Sequence, residues 1–570
     1  MRLLRITNSN GTYDVDLDDK TAIGFDLQAY DIKEPGNRKI SVSNQFTVPA
    51  TSNNMKIFGY AGNSQSASTL VYEEATCNYW IDNIQLIKDA RIRCEQFDGE
   101  RISLFIFEKP SIWDEMKLLS WPDFVGNFLT WLKTEKGLET DSSPFTGNWQ
   151  EFVTYYSDIT NPHKLFIGMF FGNLFMQPND SDPSENYENL GSSPNYNPKI
   201  YIGLRETVYW SKCGHFCTHI KTIFEYIEYL YNVNFYTSGG EIIGNIWDDT
   251  VVLNMFTPIR DIEVRAASFP IGDYWFDVST LTKYFPFDIT NDKAEKTLYD
   301  FVNSFFQHLN IVIDKNTIED NDNDYKLRRF DTLENIGEII DWSNLDYNTK
   351  PIFKPSIDGF NQNNYIRFKE IYPEGDKTQN QKLIECNNVN LDAETNLFEI
   401  DAYINNLYEL NDGNFIPNLT NKESFKTFHF FLPSEDNLIN DAHIYYRYNF
   451  GGLTEYMAIE KPVIPVLYSL DSEYQLLESM LTNPVYYEVK KWLSLYDVYN
   501  LEFFKKYYIR ELNGCFFLNK ISGFNPEKSN ESTTLELIKI SNETPYTPYM
   551  GFWVDGINNI WTDGAGNYYY

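Results

Sequence analysis

The sequence predicts a β-rich α+β chain of several domains, and three observations carry that prediction. At 570 residues the chain exceeds what one hydrophobic core organises. Its 41 Tyr and 42 Phe favour strands and interfaces, and a hydrophobic content of 42% marks a folded protein. Short apolar runs broken by turn signals fill both ends of the chain, with two helix-then-strand patterns between them.

Residues 1–110 predict a small β-domain, with strands at Ile40–Val42, Phe46–Val48 and Ile102–Phe107 and turns at EPGN (34–37) and FDGE (97–100). Residues 111–207 predict an insertion. It begins with helical stretches around Trp113, Trp121 and Trp131 and continues into a long polar loop at 177–198. Residues 208–350 hold the paired units. In the first, Phe216, Ile220, Ile223, Phe224, Ile227, Leu230 and Tyr231 recur at helical spacing before NVNFYTS; in the second, Leu298, Phe301, Val302, Phe305, Phe306 and Leu309 do so before NIVIDKNT. Residues 351–540 predict a second β-rich domain, interrupted by helices near Glu473–Thr482 and Tyr486–Trp492. The turn-rich aromatic end, 541–570, predicts a docking tail.

The formal charge is −34, from 81 acidic and 47 basic residues, and no run of Lys and Arg forms a phosphate-neutralising patch. This balance argues against grasping nucleic acid as the function. An acidic passage can still border DNA and let it slide, and the same charge also serves solubility alone. The opening MRLLRITNSNGTYDVDLDD lacks the apolar core of a signal peptide, and no apolar run is long enough to span a membrane. Six irregularly spaced cysteines agree with synthesis in a reducing cytoplasm.

The stretch CGHFCTH, Cys213–His219, is a candidate metal cluster. On a helix its Cys and His pairs would lie about 200° apart around the axis. On a strand the outer residues would be about 20 Å apart, beyond zinc's ligand sphere of about 2.0 to 2.3 Å. Extending the helical period of 216–231 backwards places Cys213 and Cys217 on its apolar stripe, as core residues without metal. EDNDND (319–324) has the alternation of a calcium loop at Asp320, Asp322 and Asp324, but Tyr325 stands where Gly is required and Asp331 where Glu is required. It predicts a solvated hairpin turn. The histidines at 163, 215, 219, 308, 429 and 443 form no HExxH, and neither a nucleophile elbow nor a phosphate loop is present. The expectation is therefore no catalytic residue, no metal and no cofactor.

Several stretches, in order, resemble one family. Residues 25–61 carry Ser43, Phe46, Pro49, Thr51 and Asn54 in a Ser-x-x-Phe-x-x-Pro-x-Thr-x-x-Asn pattern that resembles the first domain of tail proteins from phages of Bacteroidetes. EKTLYDFVNSFFQHLNIVID with the IIDWSN of 339–344 resembles the middle of those proteins, and 507–540 resembles their close. Together the stretches cover a minor part of the chain. The resemblance implies a hub- or baseplate-type subunit of a crAss-like phage, with β-barrel-like domains, working as a ring in the virion tail and having no catalytic residues to transfer.

On this reading the partners are copies of the chain in a ring and other tail proteins, with DNA passing through unbound and no membrane span. The expected interface residues are Tyr546, Trp553, Trp561, Tyr568, Tyr569 and Tyr570. A competing reading, a secreted glycan-binding surface protein of the SusD-like kind, shares the size, acidity and Trp/Tyr content. It expects a lipoprotein cysteine near the N-terminus, whereas the first cysteine here is Cys77.

Overall fold

The computed structural model describes residues 2–19, 21–28, 41–60, 65–73, 75–107, 112–137, 162–163, 165–170, 210–239, 245–265, 295–314, 323–335, 339–371, 381–404, 407–409, 415–417, 428–433, 444–450, 453–459, 465–467, 470–528 and 531–541. As predicted, the architecture is β-rich and multi-domain, with several sheets and few helices.

Seven strands form the N-terminal part: β1 (Arg2–Asn8), β2 (Gly11–Asp14), β3 (Phe25–Gln28), β4 (Ser41–Pro49), β5 (Ala75–Ile81), β6 (Ile84–Phe97) and β7 (Arg101–Phe107). Alternation drives them: in β5, Ala75, Cys77, Tyr79 and Ile81 are buried while the residues between are not. Asp82 and Asn83, both at positive φ, make the two-residue turn that joins β5 to β6. At the predicted FDGE turn the Asp98 carboxylate accepts the backbone N–H groups of Glu100 and Arg101 at 2.9 and 2.7 Å. The EPGN turn lies outside the described residues.

These strands are part of one thirteen-stranded sheet whose ladder continues into the C-terminal half. Its order is Ile352–Lys354, Tyr486–Lys491, Thr533–Ser541, Gly514–Phe524, β3, β4, β7, β6, β5, β1, β2. Lys506–Ile509 joins at Gly514–Phe524 and pairs in parallel with Ile339–Asp341. Across the junction Leu27 faces Ile521 and Phe25 faces Phe524, so the two ends of the chain meet within one sheet.

Successive residues of the C-terminal strands serve two cores. Leu518, Leu535, Leu537 and Val489 belong to a core built with β1–β7, whereas Phe517, Ile538 and Tyr486 belong to a second core built on helices. Both faces of this part of the sheet are therefore covered, which accounts for the nearly continuous burial of Gly514–Phe524.

The second core gathers α2 (Ile112–Leu118), α3 (Trp121–Glu135), α4 (Ile220–Tyr231) and α6 (Leu298–His308), which follow α1 (Ser52–Ile57) and flank the short α5 (Thr250–Asn254) in chain order. The expected helices around Trp113, Trp121 and Trp131 are α2 and α3. The Trp121 and Phe301 rings stack at 4.6 Å, and Trp113 meets Phe306 edge-on at 5.9 Å. Helix α6 carries its predicted apolar stripe; in α4 Ile220, Ile223, Phe224 and Ile227 are buried as predicted, but Leu230 is exposed and Phe216 lies on the strand before the helix; the rings of the two helices meet at Phe224 and Phe306. Beyond each helix an Asn takes a left-handed conformation, Asn232 at φ 51° and Asn310 at φ 50°. After Asn310 the chain enters the strand Ile311–Asp314; after Asn232 it makes only an isolated bridge, Asn234 with Asp324, so the strand expected in NVNFYTS is absent.

Two further expectations are corrected. Cys213 and Cys217 lie on the strand Trp210–His219, not on a helix. That strand sits between Phe166–Phe170 and Phe256–Arg265, with Cys217 opposite Phe166 on one side and Pro258 on the other. The extended His219 caps α4, so the helical period cannot run back through it. The segment Tyr486–Trp492 supplies the strand Tyr486–Lys491 rather than a helix. Helix α7 (Gln475–Thr482), predicted near there, ends at Asn483 before Pro484, and pairing on both sides then holds the chain extended, ahead of the short α8 (Leu495–Tyr499).

Candidate assembly surfaces

Three of the stretches that carry the family resemblance converge on the thirteen-stranded sheet. In the first, Thr51 caps α1 by accepting the Asn54 backbone N–H, and its own hydroxyl donates to Asp16. The fully buried Asn54 side chain accepts the Asp16 N–H and donates to the carbonyls of Asp16 and Pro49, each at 2.8 Å. This amide locks the end of β4 to the segment after β2. Phe46 lies in the core below, while the side chain of Ser43 lies outside the described residues.

Trp342, of IIDWSN, donates its backbone N–H to the Tyr508 carbonyl at 2.9 Å and lays its ring against Tyr507 at 4.4 Å. Ser343 Oγ accepts the Arg510 N–H at 3.0 Å, and Glu511 accepts the N–H groups of Asn344 and Leu345. The remaining stretch, on α6 and the strand after it, lies in the helical core, which meets the sheet through the edge-on contact of Phe330 with Phe517 at 5.3 Å. These motif residues build the fold.

Charged groups tie the ends together. Arg101 holds Asp18 with two hydrogen bonds of 2.7 and 3.1 Å, and with Thr21 it keeps that carboxyl well below the usual carboxylate range. Glu527 accepts from both Arg2 and the Tyr79 hydroxyl; burial first, then this carboxylate, push the Tyr79 phenol up.

Among the described residues no group of three His, Cys, Asp or Glu is placed to hold a metal ion. Cys217 is buried in the strand; the side chains of Cys213 and His215 are outside the described residues. Asp320 and Asp322 are likewise outside, and the segment that contains them joins the antiparallel strands Ile311–Asp314 and Lys326–Arg329, as the hairpin reading expects. No described helix is long and apolar enough to cross a membrane.

The expected interface residues Tyr546, Trp553, Trp561, Tyr568, Tyr569 and Tyr570, and the polar loop 177–198, lie outside the described residues. What the structure adds is an apolar sheet edge. The end strand Ile352–Lys354 leaves Ile352 56% and Phe353 51% exposed, and the neighbouring Tyr347 is 87% exposed. Its sequence signal is PIFKP: two prolines confine a three-residue strand, two of its side chains apolar, to an edge.

No protein-family model matches the sequence, and no curated protein does either. Solved structures that align with it include the 43 kDa tail protein of prophage MuSo2 from Shewanella oneidensis, at 7% identity and a TM-score of 0.32, over 94% of this chain and 98% of that one. The lidded PdpA–VgrG complex of Francisella aligns at 10% identity and a TM-score of 0.23, over 96% of this chain and 53% of that one. The lidless PdpA–VgrG complex aligns at 9% and 0.22, over 96% and 66%. Likeness at this level carries no argument about role.

Proposed function

We propose that this chain is a structural subunit of a phage tail, of the hub or baseplate type, that assembles with its own copies into a ring bordering the channel through which DNA leaves the virion. It is made in the host bacterial cytoplasm, joins other tail proteins and performs no catalysis. The observation that carries this reading is the convergence of the motif-bearing stretches: the described strands within residues 25–61, 339–344 and 507–540, far apart in sequence, lie together in one sheet. Their shared resemblance is thus to a common structural centre rather than to scattered segments. The net charge of −34 supports a passage that repels phosphate.

Mass measurement of the purified oligomer with an electron-microscopic top view tests it. A ring with an open lumen, lined by carboxylates and unable to retain duplex DNA at moderate salt, is expected. A monomer at all concentrations, or a lumen lined by Lys and Arg, would overturn it.

A further inference from the structure

The exposed sheet edge and the aromatic end of the chain are complementary in three respects. Ile352 and Phe353 are consecutive on a strand and so project to opposite faces, which makes the apolar surface wrap around the edge rather than lie on one side. Pro351 and Pro355 limit any added ladder to about three residues, so an occupant must hold on mainly by side chains. Residues 542–570 supply Tyr546, Phe552, Trp553 and Trp561 among Gly, Asn and Pro, a composition suited to packing large rings on both sides of an edge.

Position decides the reach. The last described strand, Thr533–Ser541, is separated from the edge strand by Tyr486–Lys491 alone, and Ile538 stands level with Tyr486 and Lys354, so Ser541 leaves the sheet about 10 Å across it and about 10 Å along it from Lys354. Fully extended, the residues beyond it span up to about 95 Å, far past their own sheet. Meanwhile Tyr347, Ile352 and Phe353 stand exposed in the single chain. A closed ring made by one repeated rotation needs two different, mutually complementary surfaces on every copy. We infer that residues 542–570 of one copy clasp the Ile352–Lys354 edge and Tyr347 of the next, which makes this head-to-tail contact the joint of the ring. The inference deepens the ring reading and rests on it.

The test uses the full chain carrying Phe353→p-benzoylphenylalanine, mixed with an equal amount of ¹⁵N-labelled chain, reassembled, photolysed and digested for mass spectrometry. Mixed-isotope cross-links from position 353 to residues 542–570 are expected. Links found only within one chain, or to any other segment, overturn the inference. In parallel, Phe353→Asp and the milder Tyr347→Ala should each raise at least ten-fold the concentration at which half the chains are assembled, while Tyr72→Ala, at an exposed ring in the turn before β5, should not. Rings that form normally in both variants without the cross-link defeat the clasp and leave the ring reading intact; a full-length chain that stays monomeric defeats both.

Discussion

The ring of Trp342 lies 4.4 Å from that of Tyr507, on the strand pair that joins Ile339–Asp341 in parallel to Lys506–Ile509. Burial pushes the Tyr507 phenol up, and its hydroxyl donates to the Glu502 carbonyl at 2.6 Å. Trp342 thus packs against the buried ring whose hydroxyl makes that hydrogen bond. Trp342→Ala should destabilise the fold by about 3 to 5 kcal/mol, and Trp342→Phe by about 1.5 kcal/mol or less, measured by urea unfolding. Equal losses in both variants would show that the ring's volume is not what matters.

Asn54 makes a second prediction. Replacing it with Ala removes three hydrogen bonds made by a buried amide to the partly buried Asp16 and Pro49 backbone, at a cost of about 2 kcal/mol. Asn54→Asp should be worse, because a carboxylate would face two carbonyl oxygens. A variant as stable as the parent chain would mean that water replaces the amide.

The Asp18–Arg101 pair predicts a pH dependence. The Asp18 carboxyl titrates lower in the fold than in the unfolded chain, chiefly through its hydrogen bonds to Arg101 and then to Thr21. Its contribution is therefore complete above the ordinary carboxylate range, about pH 4, and is lost as pH falls through the lower folded value. The gap in urea midpoint between the parent chain and Asp18→Asn should be constant near neutrality and close under acid. A gap independent of pH would assign the effect to packing.

Thiol reactivity provides a fourth check. Burial, and next the Asp89 charge, push the Cys77 thiol up, whereas Cys94 is only partly buried. In native protein treated with iodoacetamide, peptide mapping should find Cys94 alkylated well before Cys77, Cys217 and Cys515. Early modification of Cys217 would contradict its burial in the strand before α4. Cys217→Ala should cost about 1 kcal/mol, a small-cavity effect.

Ending the chain after Ser541 retains every described strand, so the truncated protein should keep its far-ultraviolet circular dichroism and lose self-assembly. Loss of folding instead would place residues 542–570 within the chain's own core.

Sequence by itself determined the elements whose signal is local. The stripes of α3, α4 and α6 are periodic over three or more turns, the alternation of β5 is complete within seven residues, and FDGE carries its own turn chemistry. What only tertiary structure decided were short segments whose partners are remote. CGHFCTH has the two-residue period of a strand, yet it adjoins a helix; the pairing of Cys217 with Phe166 and Pro258, not its own composition, makes it a strand. Tyr486–Lys491 is extended because Thr533–Ser541 and Ile352–Lys354 flank it. The edge at Ile352 and Phe353, hinted at by the prolines of PIFKP, exists because the ladder of the described strands ends there. Side-chain periodicity is written along a few consecutive residues, whereas which strand lies beside which, such as β3 beside Gly514–Phe524, depends on cores assembled from opposite ends of the chain.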